Sequence, residues 1–61
     1  MPEIIVNMVS GRTPEQKRKL LDGIYQAVKT SLPVKDEYIV ISLIETPKEN
    51  KSRGGIPFSE L

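Results

Sequence analysis

The sequence contains no cysteine, no histidine and no tryptophan, and its only aromatic residues are two tyrosines and one phenylalanine. Without cysteine, neither a disulfide framework nor a thiolate metal site can form. We expect a single domain over residues 1–61, and a domain this small buries only about 60% of the surface that its unfolded chain exposes. Assembly with other subunits is therefore the favoured way to stabilise so small a core.

The charges are nearly balanced, since nine lysines and arginines against eight aspartates and glutamates give a net charge of +1. The two signs are interspersed, whereas a nucleic-acid-binding surface normally shows clustered positive charge, so nucleic acid is not expected as a partner. The sequence also lacks an apolar run near the roughly 20 residues that span a bilayer, and its start shows no export signal. We therefore expect a cytoplasmic protein with no membrane partner.

The segment Glu3–Val9 is rich in isoleucine and valine and predicts a strand. Alternation assigns its side chains to two faces, Ile4, Val6 and Met8 on one and Ile5, Asn7 and Val9 on the other. Because both faces are mostly apolar, we expect a helix to cover one of them and another subunit to cover the other.

A helix is predicted from Pro14 to about Ser31, ended by Pro33. Thr13 and Gln16 have the spacing of a capping box, and proline suits the first helical position. The apolar residues that follow recur with the helical period and form one stripe: Leu20, Leu21, Ile24, Tyr25, Ala27, Val28 and Leu32.

A second apolar segment, Tyr38–Ile44, predicts another strand, so the chain is expected to be an α+β protein built on one β-α-β unit with parallel strands. Two strands do not make a stable sheet alone, and their edges should pair with another copy. The polar tail, residues 45–61, is rich in turn-forming residues. It predicts a loop or small hairpin that reaches onto a neighbouring subunit.

Pro2 is a candidate catalytic base. Once Met1 is removed, its ring nitrogen is a secondary amine, whereas with Met1 attached the same nitrogen is an amide with no basic lone pair. A general base needs a pKa near the working pH. An ordinary α-amino group titrates at roughly 8, and an apolar pocket and a nearby guanidinium would both lower that pKa. The alternative is a proline that merely blunts an edge strand.

Several motifs occur together in an order that resembles the tautomerase superfamily, in particular its small 4-oxalocrotonate tautomerase-like group. They are Met1-Pro2, a seven-residue strand, Gly11-Arg12, Thr13-Pro14-Glu15-Gln16-Lys17, an amphipathic helix, a second strand ending at Glu45, and Gly54-Gly55. The resemblance covers nearly the whole chain. It implies a homo-oligomer, a hexamer built as a trimer of dimers, and keto-enol chemistry in which an N-terminal proline is the general base or acid.

The resemblance also assigns roles to individual residues. Pro2 matches the catalytic proline, Arg12 matches an arginine that binds a substrate carboxylate, and Val9 matches a position that lines the same pocket. Val40 stands where many members have a second arginine, and Lys51 stands where they have an aromatic residue.

The implied substrate is a small carboxylate-bearing 2-hydroxydienoate or enol-pyruvate, handled with no metal or organic cofactor, and Arg53 is a candidate for the missing second positive charge. For Arg12 and for Arg53 the alternative is an ordinary solvated arginine. The alternative functions are a non-enzymatic oligomeric module that keeps the fold but has lost the second arginine, and a hydratase or dehalogenase activity. The last would need a carboxylate such as Glu45 or Glu49 to activate water.

The length of the first strand constrains how Pro2 and Arg12 can cooperate. Seven strand residues span roughly 23 Å, so the two residues belong to opposite ends of one strand. We therefore expect the site to form only between subunits, with two first strands running antiparallel.

Overall fold

The computed structural model describes residues 1–61, in which two long strands flank one long helix. The elements are β1 (Glu3–Val9), α1 (Pro14–Ser31), β2 (Val40–Thr46), β3 (Ser52–Arg53) and β4 (Ile56–Pro57), with 3₁₀ turns at Asp36–Tyr38, Lys48–Asn50 and Phe58–Glu60. Strands β1 and β2 are parallel, and β3 and β4 form an antiparallel hairpin in the tail. The predicted β-α-β unit is therefore confirmed. No helix of the structure has the length and apolar character needed to cross a membrane.

The second strand does not lie where the sequence predicted it. It begins at Val40 rather than Tyr38 and ends at Thr46 rather than Ile44. Tyr38 belongs instead to a 3₁₀ turn, because its N–H donates to the carbonyl of Lys35 at 3.0 Å. The shift aligns the strands over their full lengths, with Glu3 opposite Val40 and Val9 opposite Thr46.

The helix begins and ends as the sequence predicted. Gln16 N–H donates to the hydroxyl of Thr13, and Thr13 N–H donates to the side-chain carbonyl of Gln16, both at 3.1 Å. These two bonds satisfy donors that a helix start leaves free. At the other end Leu32 is extended, with φ −126°, as expected of the residue before Pro33.

The helix lies on only one face of the β1-β2 sheet. This helix face carries Ile4, Val6 and Met8, all half-buried. It also carries Glu45, opposite Met8, whose carboxylate pairs with the Lys17 ammonium of α1 at 2.9 Å. The other side, the open face, has no cover, and Ile5 and Ile44 there are 58% and 47% exposed.

The subunit has no buried core. None of its 61 residues is fully buried, and the chain exposes 4857 Å² of accessible surface. A compact monomer of this mass would expose about 4000 Å². The radius of gyration is 14.6 Å, against about 10.5 Å for a compact domain of this length. The excess surface indicates that neighbouring subunits cover apolar residues of this subunit.

Thermal stability should therefore depend on protein concentration. Raising the concentration over about a hundredfold range is expected to raise the melting temperature, because only the folded chain assembles. Circular dichroism melts and sedimentation equilibrium would measure this together, with a mass that is a multiple of 6.9 kDa. A 6.9 kDa species with a concentration-independent melting temperature would contradict it.

An ion pair between Lys29 and Asp36 joins the end of the helix to the turn before β2. The hydrogen bond from Lys29 lowers the pKa of Asp36, and the same bond raises the pKa of Lys29. A lowered carboxyl pKa stabilises the fold above the unfolded value of 3.8, and a raised lysine pKa stabilises it below the unfolded value of 10.5. The pair is exposed, so its contribution is small.

The variant Asp36→Asn should melt slightly below the wild type at neutral pH. That difference should vanish as the pH falls through the lowered pKa of Asp36, because the wild-type carboxylate is then protonated and loses its ion pair. Melting temperatures of both proteins across an acid titration give the test. A difference of unchanged size in acid would show that Asp36 acts through packing.

Candidate active site

The segments that follow β1 and β2 leave the sheet at the same end, because the strands are parallel and in register. Val9 lies opposite Thr46, and Ser10 N–H donates to the Thr46 carbonyl at 3.0 Å. Gly11 then turns the chain with φ +123°, a value that favours glycine. The turn that carries Arg12 is thereby held beside the start of the C-terminal tail.

An open cavity of about 490 Å³ lies at this end of the sheet. Its lining comes from the end of β1, the turn after it and the tail: Val9, Ser10, Gly11, Arg12, Lys48 and Phe58. Two of the residues predicted for the site, Val9 and Arg12, therefore lie together. The cavity has cationic, apolar and small polar walls and no carboxylate.

Phe58 supplies an aromatic wall and was not among the site residues predicted from the sequence. Its N–H donates to the carbonyl of Lys51 at 2.7 Å. The Lys51 ammonium and the Arg53 guanidinium each lie 5.4 Å from the centre of the Phe58 ring, within the range of a cation–π interaction. Arg53 does not line the cavity itself, but it contacts a ring that does.

The glycines of the tail hairpin make this arrangement possible. Gly54 and Gly55 have φ values of +59° and +85°, and two positive values in succession are what a tight two-residue hairpin turn requires. The turn pairs Arg53 with Ile56, so the chain folds back and brings Phe58 to Lys51. The predicted hairpin is confirmed.

Pro2 lies at the other end of β1. Its carbonyl accepts a hydrogen bond from Val40 N–H at 3.2 Å, which fixes it beside the start of β2. Met1 is 84% exposed, and while it remains attached the Pro2 nitrogen is an amide. Within one subunit the structure does not bring Pro2 and Arg12 together. Val40 lies at the Pro2 end, opposite Glu3.

Two further concave surfaces flank the helix. One, of about 240 Å³, borders Arg12 from the helix side and is lined by Met8, Arg12, Gln16, Lys17 and Leu20. The other is a shallow groove on the outer turn of α1, lined by Pro14, Glu15, Arg18, Lys19 and Asp22. All residues of this groove are exposed, and no large hydrophobic side chain lines it. Arg12 is therefore the residue that the two cavities near the strand end share.

Comparison with known proteins agrees with the fold and with the motif order. Residues 3–54 match the family model described as tautomerase enzyme. A protein of Bradyrhizobium diazoefficiens named "Probable tautomerase" is 43% identical over 98% of this chain and 90% of its own length. The 2-hydroxymuconate tautomerase of Bacillus subtilis is 36% identical over 100% of this chain and 98% of its own.

A solved structure shares both the fold and the family. The heterohexamer 4-oxalocrotonate tautomerase from Chloroflexus aurantiacus is 28% identical, with a TM-score of 0.87 over 100% of this chain and 98% of that one. The chain therefore belongs to the tautomerase family of enzymes, in its 4-oxalocrotonate tautomerase-like group.

Proposed function

We propose that this protein is an isomerase that tautomerises a small carboxylate-bearing 2-hydroxydienoate or enol-pyruvate, with Pro2 as its base once Met1 is removed. The observation that carries the proposal is the cavity at the end of β1. Arg12 lines it together with an aromatic wall, and no carboxylate competes for the arginine. Such a site suits a planar acid.

In this mechanism the neutral amine of Pro2 takes the proton of the enol hydroxyl. The oxygen–carbon bond becomes a carbonyl, and the electron pair of the enol double bond takes a proton back from the prolinium at carbon. Arg12 binds the carboxylate through two parallel hydrogen bonds and stabilises the negative charge that develops on the enolate oxygen. The reaction is an isomerisation, so no atom or electron is gained or lost.

The site requires a second subunit, and the unpaired edge of β1 indicates how that subunit binds. Pro2 and Ser10 make the hydrogen bonds at the two ends of the β1-β2 ladder. Backbone groups alternate in direction along a strand, so the odd-numbered residues of β1 point to the unpaired edge: Glu3, Ile5, Asn7 and Val9. A row of unpaired groups of this kind is a template for another strand.

An antiparallel partner would satisfy all of these groups in one register. If Glu3 pairs with Val9 of the partner subunit, then Ile5 pairs with Asn7 of the partner subunit, and all seven residues of β1 are paired. The same register brings Pro2 opposite Ser10 of the partner subunit, at the rim of the cavity that contains Arg12. We propose a homo-oligomer assembled from such pairs, most simply a hexamer of three dimers. A relative of the same fold is a heterohexamer.

The hydratase alternative is less well supported. It needs a carboxylate free to activate water, and Glu45 lies on the helix face, where it pairs with Lys17 at 2.9 Å. Glu49 does not line the cavity either. The non-enzymatic alternative differs from our proposal in a directly measurable way, since it predicts no turnover of any enol acid.

Removal of Arg12 tests the proposed substrate contact. Arg12→Ala should lower kcat/KM for ketonisation of 2-hydroxymuconate and phenylenolpyruvate by about 10- to 150-fold, the value of a hydrogen bond to a charged group. The matched control is Arg18→Ala, which removes an exposed arginine on the outer turn of α1. Equal rates for both variants and the wild type would remove Arg12 from the mechanism.

A further inference from the structure

Lys48 lies in the same cavity as Arg12, although it belongs to a different part of the chain. It begins the 3₁₀ turn Lys48–Asn50, two residues after β2 ends. Asn50 N–H donates to the Pro47 carbonyl at 2.9 Å, and Lys51 N–H donates to the Lys48 carbonyl at 3.4 Å, so the backbone holds the turn in place. The fold thus fixes the backbone of Lys48 beside the cavity, and its exposed side chain makes no ion pair.

The charge of Lys48 is uncompensated. The two ion pairs of the structure are Lys17–Glu45 and Lys29–Asp36, and Lys48 takes part in neither. No acidic residue lines the cavity. Two like charges that share a cavity repel each other until anionic groups bind there.

The other cations of the tail are committed elsewhere. Lys51 and Arg53 both lie over the Phe58 ring, whereas Lys48 lines the cavity with no such contact. Strand β2 contributes no cation, because Glu45 is its only charged residue. Lys48 is therefore the one lysine or arginine besides Arg12 that lines this cavity.

We propose that Lys48 selects substrates with a second anionic group, binding the far carboxylate of a planar diacid whose near carboxylate is held by Arg12. Phe58 also lines this cavity, so a conjugated chain bound there can pack against its apolar ring. The inference rests on the proposed function for its substrate class, but it concerns binding and is measured without turnover.

The test uses two unreactive six-carbon acids, muconate with two carboxylates and sorbate with one. Isothermal titration of the wild-type assembly should show muconate binding about tenfold or more tightly than sorbate, as a hydrogen bond to a charged group provides. Lys48→Gln should abolish the difference by weakening muconate alone. Lys48→Arg keeps the positive charge and should retain most of the difference in affinity between muconate and sorbate.

Lys19→Gln is the matched control, because Lys19 is an exposed lysine on the outer turn of α1. It should leave both affinities unchanged. Equal affinity of the wild type for the two acids, or a preference that survives Lys48→Gln, would overturn the proposal. Lack of enol turnover would count against the proposed reaction only, because the two acids report binding independently of it.

Discussion

Replacing Pro2 by alanine is expected to lower kcat/KM for enol ketonisation by about a hundredfold or more, the usual contribution of a positioned general base. The variant keeps an N-terminal amine, but that amine is primary and lacks the ring that fixes its direction. The fold should be unaffected, because the only backbone group that Pro2 supplies to the sheet is the carbonyl that binds Val40 N–H. Steady-state kinetics with 2-hydroxymuconate give the measurement.

A protein that retains Met1 provides a stricter comparison. Its Pro2 nitrogen is an amide, so it has no basic lone pair and turnover should fall below that of Pro2→Ala. Intact mass spectrometry establishes which form is present. If Pro2→Ala or the Met1-retaining protein is as active as the processed wild type, Pro2 is not the base.

The second large effect is expected from Asn7→Pro, a substitution at the unpaired edge of β1. Asn7 is exposed, and its N–H points away from β2 in the alternation described above. Proline is tolerated on edge strands and leaves every hydrogen bond between β1 and β2 in place, but it removes a donor that pairing between subunits needs, so assembly should be lost. Turnover should then fall by about two orders of magnitude or more, because Pro2 and Arg12 of one chain are too far apart to act on one substrate.

Asn7→Ala is the control, since it shortens the side chain and keeps the N–H. It should remain assembled and active. Sedimentation and circular dichroism distinguish loss of assembly from loss of folding in Asn7→Pro. A dissociated, folded and fully active Asn7→Pro protein would show that the site is complete within one subunit.

The sequence was most informative where local chemistry decides the structure. The Thr13–Gln16 capping box together with Pro14 and Pro33 correctly predicted the two ends of the helix. The isoleucines and valines of β1 correctly predicted that strand. The start of β2 was misplaced, because Tyr38 fits a strand by propensity but lies in a turn closed by backbone hydrogen bonds to Lys35 and Asp36.

The site was predictable only in part. Arg12 and Val9 were predicted from their positions in the motif order, and both line the cavity, while their roles in binding stay predictions. Lys48 and Phe58 were missed because a polar tail gives no periodic signal. Lys48 lies in the cavity because of where β2 ends, and Phe58 lies there because the chain turns back at Gly54 and Gly55. The one available signal was topological. Segments that follow parallel strands leave the sheet at the same end, so the tail after β2 was expected near the turn after β1.

The most direct test is to mix two variants that are each strongly impaired. Pro2→Ala and Arg12→Ala subunits, unfolded together in equal amounts and refolded, form mixed pairs in which one site has an intact Pro2 from one chain and an intact Arg12 from the other. The interface uses the same patch on both subunits, so each pair has two sites. With random pairing about half of the pairs are mixed, and one of the two sites in each mixed pair is intact, so about a quarter of all sites are intact. We predict recovery of about a quarter of wild-type activity. If the mixture is no more active than the two variants measured separately, the site does not cross the subunit boundary.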